Sequence, residues 1–227
     1  MTPSRQAHLK TPRRGSTYLD AGVNLDAAAA VKEQIKRLAA PTLGGGVVSG
    51  PGFFAGVFDP DPRGDTLLVS STDSVGTKIK IAAAMGRLDT VGHDIVNHCV
   101  NDILPAGALP MFFLDYIGIG RMDGERVAAV VKGLAEACSA SGCALIGGET
   151  ATLPGLYHGD DLDLVGFVVG SVRKDGLLLA ENTRAGDILL GLPSSGLHTN
   201  GYSLVRAIFG TDASPAALGE RVPALGR

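Results

Sequence analysis

A run of β-branched and aliphatic residues, Thr66-Leu67-Leu68-Val69-Ser70, passes directly into Ser71-Thr72-Asp73-Ser74-Val75-Gly76-Thr77-Lys78. A strand that ends in an acid, a Gly-Thr pair and a lysine commits this part of the chain to a sheet with polar chemistry at its tip. The Asp73 carboxylate can hold a magnesium ion, the Gly76-Thr77 backbone can approach an anion closely, and Lys78 can neutralise it. The G-x-x-x-x-G-K-[ST] spacing of a Walker loop is absent. Asp and Gly after a strand are equally ordinary turn residues.

Around that strand the hydrophobic period switches repeatedly between two and 3.6 residues, as in an α/β or α+β protein. The pattern predicts a helix over 26–40, capped by Asp26, striped by Val31, Ile35 and Leu38, and stopped by Pro41. It predicts strands over 66–71, 111–118, 144–146, 161–172 and 187–192. A helix over 123–141 carries Val127, Val130, Val131 and Leu134 inside, with Gly142 as its C′ residue. A last helix covers 202–209. The helix predicted over 90–104 is two-faced. At about 100° per residue, Ile95, Val96, Cys99, Val100 and Ile103 fall on one half, and Asp94, Asn97, His98, Asn101 and Asp102 on the other.

Composition narrows the class. The chain has 227 residues, 45 % apolar and 19 % charged, enough for a substantial core in one large domain or two smaller ones. Its 32 glycines are roughly twice the usual share and gather at strand ends. A net charge of −3 offers no global attraction for nucleic acid. Three cysteines, Cys99, Cys138 and Cys143, without C-x-x-C spacing argue for a reducing compartment and against a disulfide framework or a zinc site. No apolar run reaches membrane-spanning length and no signal-peptide core stands at the N-terminus, so a cytoplasmic location is expected. Residues 1–17 carry Arg5, Lys10, Arg13 and Arg14 and read as a disordered basic arm.

Several segments carry candidate chemistry, each with an ordinary alternative. The polar half of the 90–104 helix holds short acids and amides with no lysine or arginine, which suits a hydrated magnesium site; a solvated helix face is the other reading. Gly44-Gly45-Gly46 is either a mobile loop or a phosphate-covering flap. Gly147-Gly148-Glu149-Thr150 can turn backbone N–H groups on an anion and bring Glu149 to a metal or substrate amide, or it is a tight turn with a surface acid. The 194–200 loop, with His198 and Asn200, enters a helix as a phosphate cradle or as a plain cap. No Ser-His-Asp or Cys-His pattern is present, and the conjunction favours magnesium-nucleotide chemistry.

The same residues resemble a known family. Ser71-Thr72-Asp73-x-Val75-Gly76-Thr77-Lys78 and Gly92-x-Asp94-Ile95-Val96-x-x-Cys99-Val100-Asn101-Asp102 are joined by Phe112-Phe113-Leu114-Asp115-Tyr116. Gly147-Gly148-Glu149-Thr150-Ala151 follows, then Pro154-Gly155-x-Tyr157, then Ser194-Ser195-Gly196-x-His198-x-Asn200-Gly201-Tyr202-Ser203-Leu204-Val205-Arg206. In this order the blocks resemble the phosphoribosylformylglycinamidine cyclo-ligases, or AIR synthetases, of purine biosynthesis. The resemblance implies ATP-dependent ring closure of formylglycinamidine ribonucleotide to 5-aminoimidazole ribonucleotide, with ATP and Mg2+ as cofactors.

It further implies Asp73 and Asp102 at the metal, Lys78, Glu149 and His198 in catalysis, and Gly44, Gly45, Gly46, Asp73, Gly76, Thr77, Asp94, Asn101, Gly147, Gly148 and Asn200 at the nucleotide. The implied fold is a mixed sheet with helices on one face over 18–173, pairing with a second copy into a shared β-barrel. Over 174–227 a second α/β domain begins. Ser71 and Ser74 stand where that family usually has glycine, and its later Thr-Gly-Gly-Gly segment has no counterpart here, so a truncated form is expected. A catalytically silent nucleotide-binding and dimerisation module, or another ATP-using member of the superfamily such as a thiamine-monophosphate kinase, are the alternatives.

Overall fold

The computed structural model describes residues 17–194 and 196–209. The basic arm, apart from Thr17, and the chain after Phe209 lie outside the described residues. Six strands form one sheet in the order β1-β2-β3-β6-β4-β5. They are β1 (Val47–Ser49), β2 (Gly56–Phe58), β3 (Thr66–Ser74), β4 (Leu109–Ile119), β5 (Ala144–Thr152) and β6 (Leu162–Arg173). β4 and β5 are parallel and every other pair is antiparallel. The helices are α1 (Leu25–Ala39), α2 (Lys78–Ala84), α3 (Leu88–Ile103), α4 (Gly124–Ala140) and α5 (Tyr202–Phe209).

The core lies between the sheet and α3 with α4. Val57, Leu67, Val69, Phe113, Ile117, Leu164 and Val168 point from the strands into it, and Ile95, Val96, Cys99 and Ile103 meet them from α3. Alternation along β6 matches the expected pattern: Leu162, Leu164, Gly166 and Val168 are buried, while Phe167 is exposed. α4 makes the crossover between the parallel strands β4 and β5, the connection such a pair requires. α3 and α4 approach so closely that a Cβ on Gly92 would stand 2.5 Å from the backbone of Val130 and Leu134, and one on Gly133 would overlap the Asp89 carbonyl. The opposite face of the sheet, with Leu68, Phe112, Leu114, Val165, Phe167 and Val169, carries no helix layer among the described residues.

Several boundaries differ from expectation. Asn24, not Asp26, caps α1, its Oδ1 accepting from the Ala27 N–H. The Val31, Ile35 and Leu38 stripe is 50–71 % exposed and no residue of α1 is buried; the helix meets the described fold only along one side, where Ile35 and Lys36 line a cavity with Pro51–Phe54. β3 runs to Ser74, so Asp73 lies within the strand and its ladder with β6. β5 continues through Gly147-Gly148-Glu149-Thr150 to Thr152, since those residues pair with Leu114–Ile117 of β4; they form a strand, not a turn. The strand expected over 187–192 does not form. Ile188, Leu189, Leu190 and Leu192 are 85–94 % exposed, and without a ladder partner water satisfies the backbone while nothing among the described residues buries the side chains to hold the segment extended. β1, β2 and α2 had no clear signal in the sequence. No helix of the described residues is long and apolar enough to cross a membrane.

Candidate functional site

The polar side of α3 lies along β3 and the α2 start as three rungs. Ser71 Oγ donates to Asp102 Oδ2 at 2.8 Å. One turn earlier on the helix and two residues later on the strand, His98 Nε2 donates to Asp73 Oδ2 at 2.6 Å. A further turn back, Asp94 Oδ2 lies 2.6 Å from the Lys78 ammonium. The spacing explains the match: four helical residues rise about 6 Å and two strand residues about 6.7 Å, so i,i+4 groups meet i,i+2 groups in step. Asp73 Oδ1 accepts from the Ser74 N–H at 2.7 Å. Both carboxylates of the lower rungs face Cys99. Burial pushes that thiol up to about 12, with an Asp73 backbone hydrogen bond opposing and the charges of Asp73 and Asp102 both adding to the rise.

The polar half of the 90–104 helix therefore divides. His98 and Asp102 engage the strand and Asp94 the start of α2, whereas Asn97 and Asn101 are exposed. Among the described residues no group of three or more His, Cys, Asp or Glu gathers as a metal cage. A carboxylate pair at one strand–helix seam nevertheless fits magnesium, which keeps several waters and takes one or two carboxylates beside phosphate oxygens.

Lys78 is buried, and its surroundings tie three segments together. Besides Asp94, its ammonium donates to the His198 carbonyl at 3.0 Å and lies 5.3 Å from the centre of the Tyr202 ring. The approach to Asp94 Oδ2 is an ion pair off the hydrogen-bond line, and that buried oxygen has no hydrogen-bond donor. Burial pushes the Asp94 carboxyl up, with Lys78 pulling it back. Thr77 Oγ1 is 3.1 Å from Ser203 Oγ, so α2 and the first turn of α5 meet at two neighbouring positions. Gly76, before α2, is exposed with φ +64°. The His198 imidazole is exposed, 3.2 Å from Ser194 Oγ, and Asn200 is exposed beside it.

The remaining predicted residues lie elsewhere. Gly44 and Gly45 sit in the exposed turn entering β1, and Gly46 follows at φ +98°. Gly147, Gly148 and Glu149 stand in the same sheet rows as Thr72, Asp73 and Ser74, three strands across, or about 14 Å by strand spacing. Gly148 faces Asp115: a Cβ there would stand 2.5 Å from Asp115 Oδ1. Burial pushes the Asp115 carboxyl up. Sequence reasoning did not single out Ser71, His98 or Tyr202 as partners in this seam. The i,i+4 spacing of Asp94, His98 and Asp102 was the available signal. Ser71 and Ser74, which stand where the resembled family usually has glycine, sit in regular strand.

The site is thus an acidic strand–helix seam beside a buried lysine, on a mixed sheet with helices on one face. That is an α/β domain with carboxylates and an ammonium group brought side by side. Residues 54–172 match the AIR synthase related protein family, N-terminal domain, and the chain belongs to that family. It is 49 % identical over 204 residues to a phosphoribosylformylglycinamidine cyclo-ligase of Caldicellulosiruptor saccharolyticus, covering 89 % of this chain and 60 % of the relative. A protein of the same name from Xanthomonas campestris pv. campestris (strain 8004) is 50 % identical over 203 residues, covering 89 % and 60 %. The chain spans about 60 % of the length of these curated relatives. Among solved structures it is similar to T. maritima PurL complexed with ATP, at 24 % identity and a TM-score of 0.46, over 58 % of this chain and 22 % of that one.

Proposed function

We propose that this chain is the nucleotide-binding part of an ATP-dependent cyclo-ligase that closes formylglycinamidine ribonucleotide to 5-aminoimidazole ribonucleotide in purine biosynthesis. The observation that carries the reading is the Asp73–Asp102 seam in a chain half identical to proteins named for that reaction. ATP transfers its γ-phosphoryl group to the formyl oxygen, which otherwise leaves poorly. The neighbouring nitrogen then attacks the formyl carbon and loses a proton, the C–O bond breaks, and ADP and phosphate are released.

Asp73 and Asp102 would hold Mg2+, which when bound offsets charge on the transferring phosphates. Lys78, held between Asp94 and the His198 carbonyl, places a cation on the same seam and ties the segment leading into α5 to it. His198 and Asn200 offer exposed polar groups from that segment, and Gly44–Gly46 a flexible cover. Gly147, Gly148 and Glu149 stand toward the far sheet edge, where an approaching substrate would meet Glu149.

Residues 18–173 form the dimerising first domain in this reading, and 174–227 open a second. The uncovered sheet face supports a homodimer whose first domains close into a barrel, since such a patch on a lone subunit invites a partner. Three buried free thiols suit a cytoplasmic setting. A second reading, a silent ATP-binding module, is favoured by the exposed Ile188–Leu192 segment, whose apolar side chains have no packing partner among the described residues.

The test is an ATP-dependent cyclisation assay on the chain and its Asp102→Asn variant, with sizing by light scattering. ADP and aminoimidazole ribonucleotide from the wild type, with at least a hundredfold loss in the variant and an unchanged dimer, is the expected result. Undiminished turnover by Asp102→Asn overturns the assignment of that residue. ATP binding without turnover selects the silent module, and phosphorylation of thiamine monophosphate selects a kinase.

A further inference from the structure

We infer that Ser71 and His98 are positioning residues that aim the Asp102 and Asp73 carboxylates at one cation without touching it. The inference rests on the nucleotide–metal reading above. Each carboxylate has one oxygen taken by a side chain from the opposite element: Asp102 on α3 by Ser71 of β3, and Asp73 on β3 by His98 of α3. The bonds run in opposite directions across the seam, so neither carboxylate can rotate without breaking a contact to the other element. Asp73 is held a second time, through Oδ1, by the Ser74 N–H.

A carboxylate on a free Cβ samples several χ angles, and a cation must order it at an entropic cost. Here the ordering is complete before the cation arrives. Each oxygen keeps a second lone pair for a metal or its water, because a carboxylate offers about four acceptor sites. The His98 side chain is 18 % exposed, too enclosed for solvent to replace its bond to Asp73 freely. Outer partners of ligating carboxylates commonly change metal affinity by about 10–100-fold.

The experiment titrates the chain with manganese(II) in the presence of ATP, reading free manganese by electron paramagnetic resonance. Ser71→Ala and His98→Ala should each weaken binding by about 10–100-fold. His98→Gln, which keeps an N–H donor, should recover most of the loss, and Lys132→Ala on the exposed side of α4 should match the wild type. Thermal unfolding of each variant separates a lost fold from a lost bond. In parallel, long-range 1H–15N spectra of the metal-free chain should show His98 protonated at Nε2, with that signal moved by Asp73→Asn. Wild-type manganese affinity in both alanine variants, or a His98 signal indifferent to Asp73→Asn, overturns the inference and leaves the nucleotide site standing. Failure of the wild-type chain to bind manganese-ATP overturns the site itself, and the inference falls with it.

Discussion

Lys78, on the first turn of α2, and Asp94, on the second turn of α3, form an ion pair at 2.6 Å with side chains only 9 % and 19 % exposed. The same ammonium reaches the His198 carbonyl, 120 residues further along the chain. One buried cation therefore joins the helical layer of the sheet to the segment that leads into α5.

Removing one member of this pair strands the other. Lys78→Met should destabilise the chain by about 3–5 kcal/mol, because Asp94 would keep its burial and lose its counter-charge. The double variant Lys78→Met/Asp94→Leu should recover much of that loss. Urea unfolding of the two single variants and the double completes the cycle, and an additive result would show the pair uncoupled.

The contact between α3 and α4 depends on a missing side chain. Gly133→Ala places a methyl group against the Asp89 carbonyl and should cost about 1–3 kcal/mol by forcing the helices apart. Gly124→Ala, at the open start of α4 with nothing within 4 Å, should be neutral or stabilising by up to about 1 kcal/mol. Melting temperatures that move in the same direction for both would contradict this packing.

Thiol chemistry should be slow in the native state. Burial pushes Cys99 and Cys138 up to about 12 and raises Cys143 as well. At pH 8 a thiol near 12 is ionised only on the order of one part in ten thousand. Ellman's reagent should meet little fast-reacting thiol in the folded chain and three thiols after denaturation.

Asp115 should make stability depend on pH. Its carboxyl is raised by burial, so folding favours the protonated form. That contribution is fully present below the unfolded-state value of 3.8 and is lost as pH rises through the higher folded-state value. Asp115→Asn, neutral throughout, should melt a few degrees above the wild type at pH 7, and the gap should close below pH 3.8. A gap that widens on acidification would refute the sign.

Local pattern carried much of the architecture. Period-two alternation marked β6 from Leu162 onward, and the 100° wheel placed Ile95, Val96, Cys99, Val100 and Ile103 in the core, where they are buried. Asp123 caps α4 and Gly142 follows it, because caps and helix ends are read within a few residues of sequence. β5 was cut short at its glycines, whose turn propensity is overridden by the ladder with β4. The 187–192 run has strand composition but no strand, because a strand exists only where a partner supplies its hydrogen bonds.

The residues of the candidate seam were legible as types but not as pairs. By itself the sequence determined that Asp94, His98 and Asp102 share one side of a helix and that Asp73 follows a strand signal closely, since both are read from local pattern. Only the tertiary structure decided that Ser71 meets Asp102, that His98 meets Asp73 and that Lys78 turns inward to Asp94. Those contacts depend on how α3 sits against β3 and the start of α2, elements separated along the chain, which is set by packing of the whole core and not by any local run of residues.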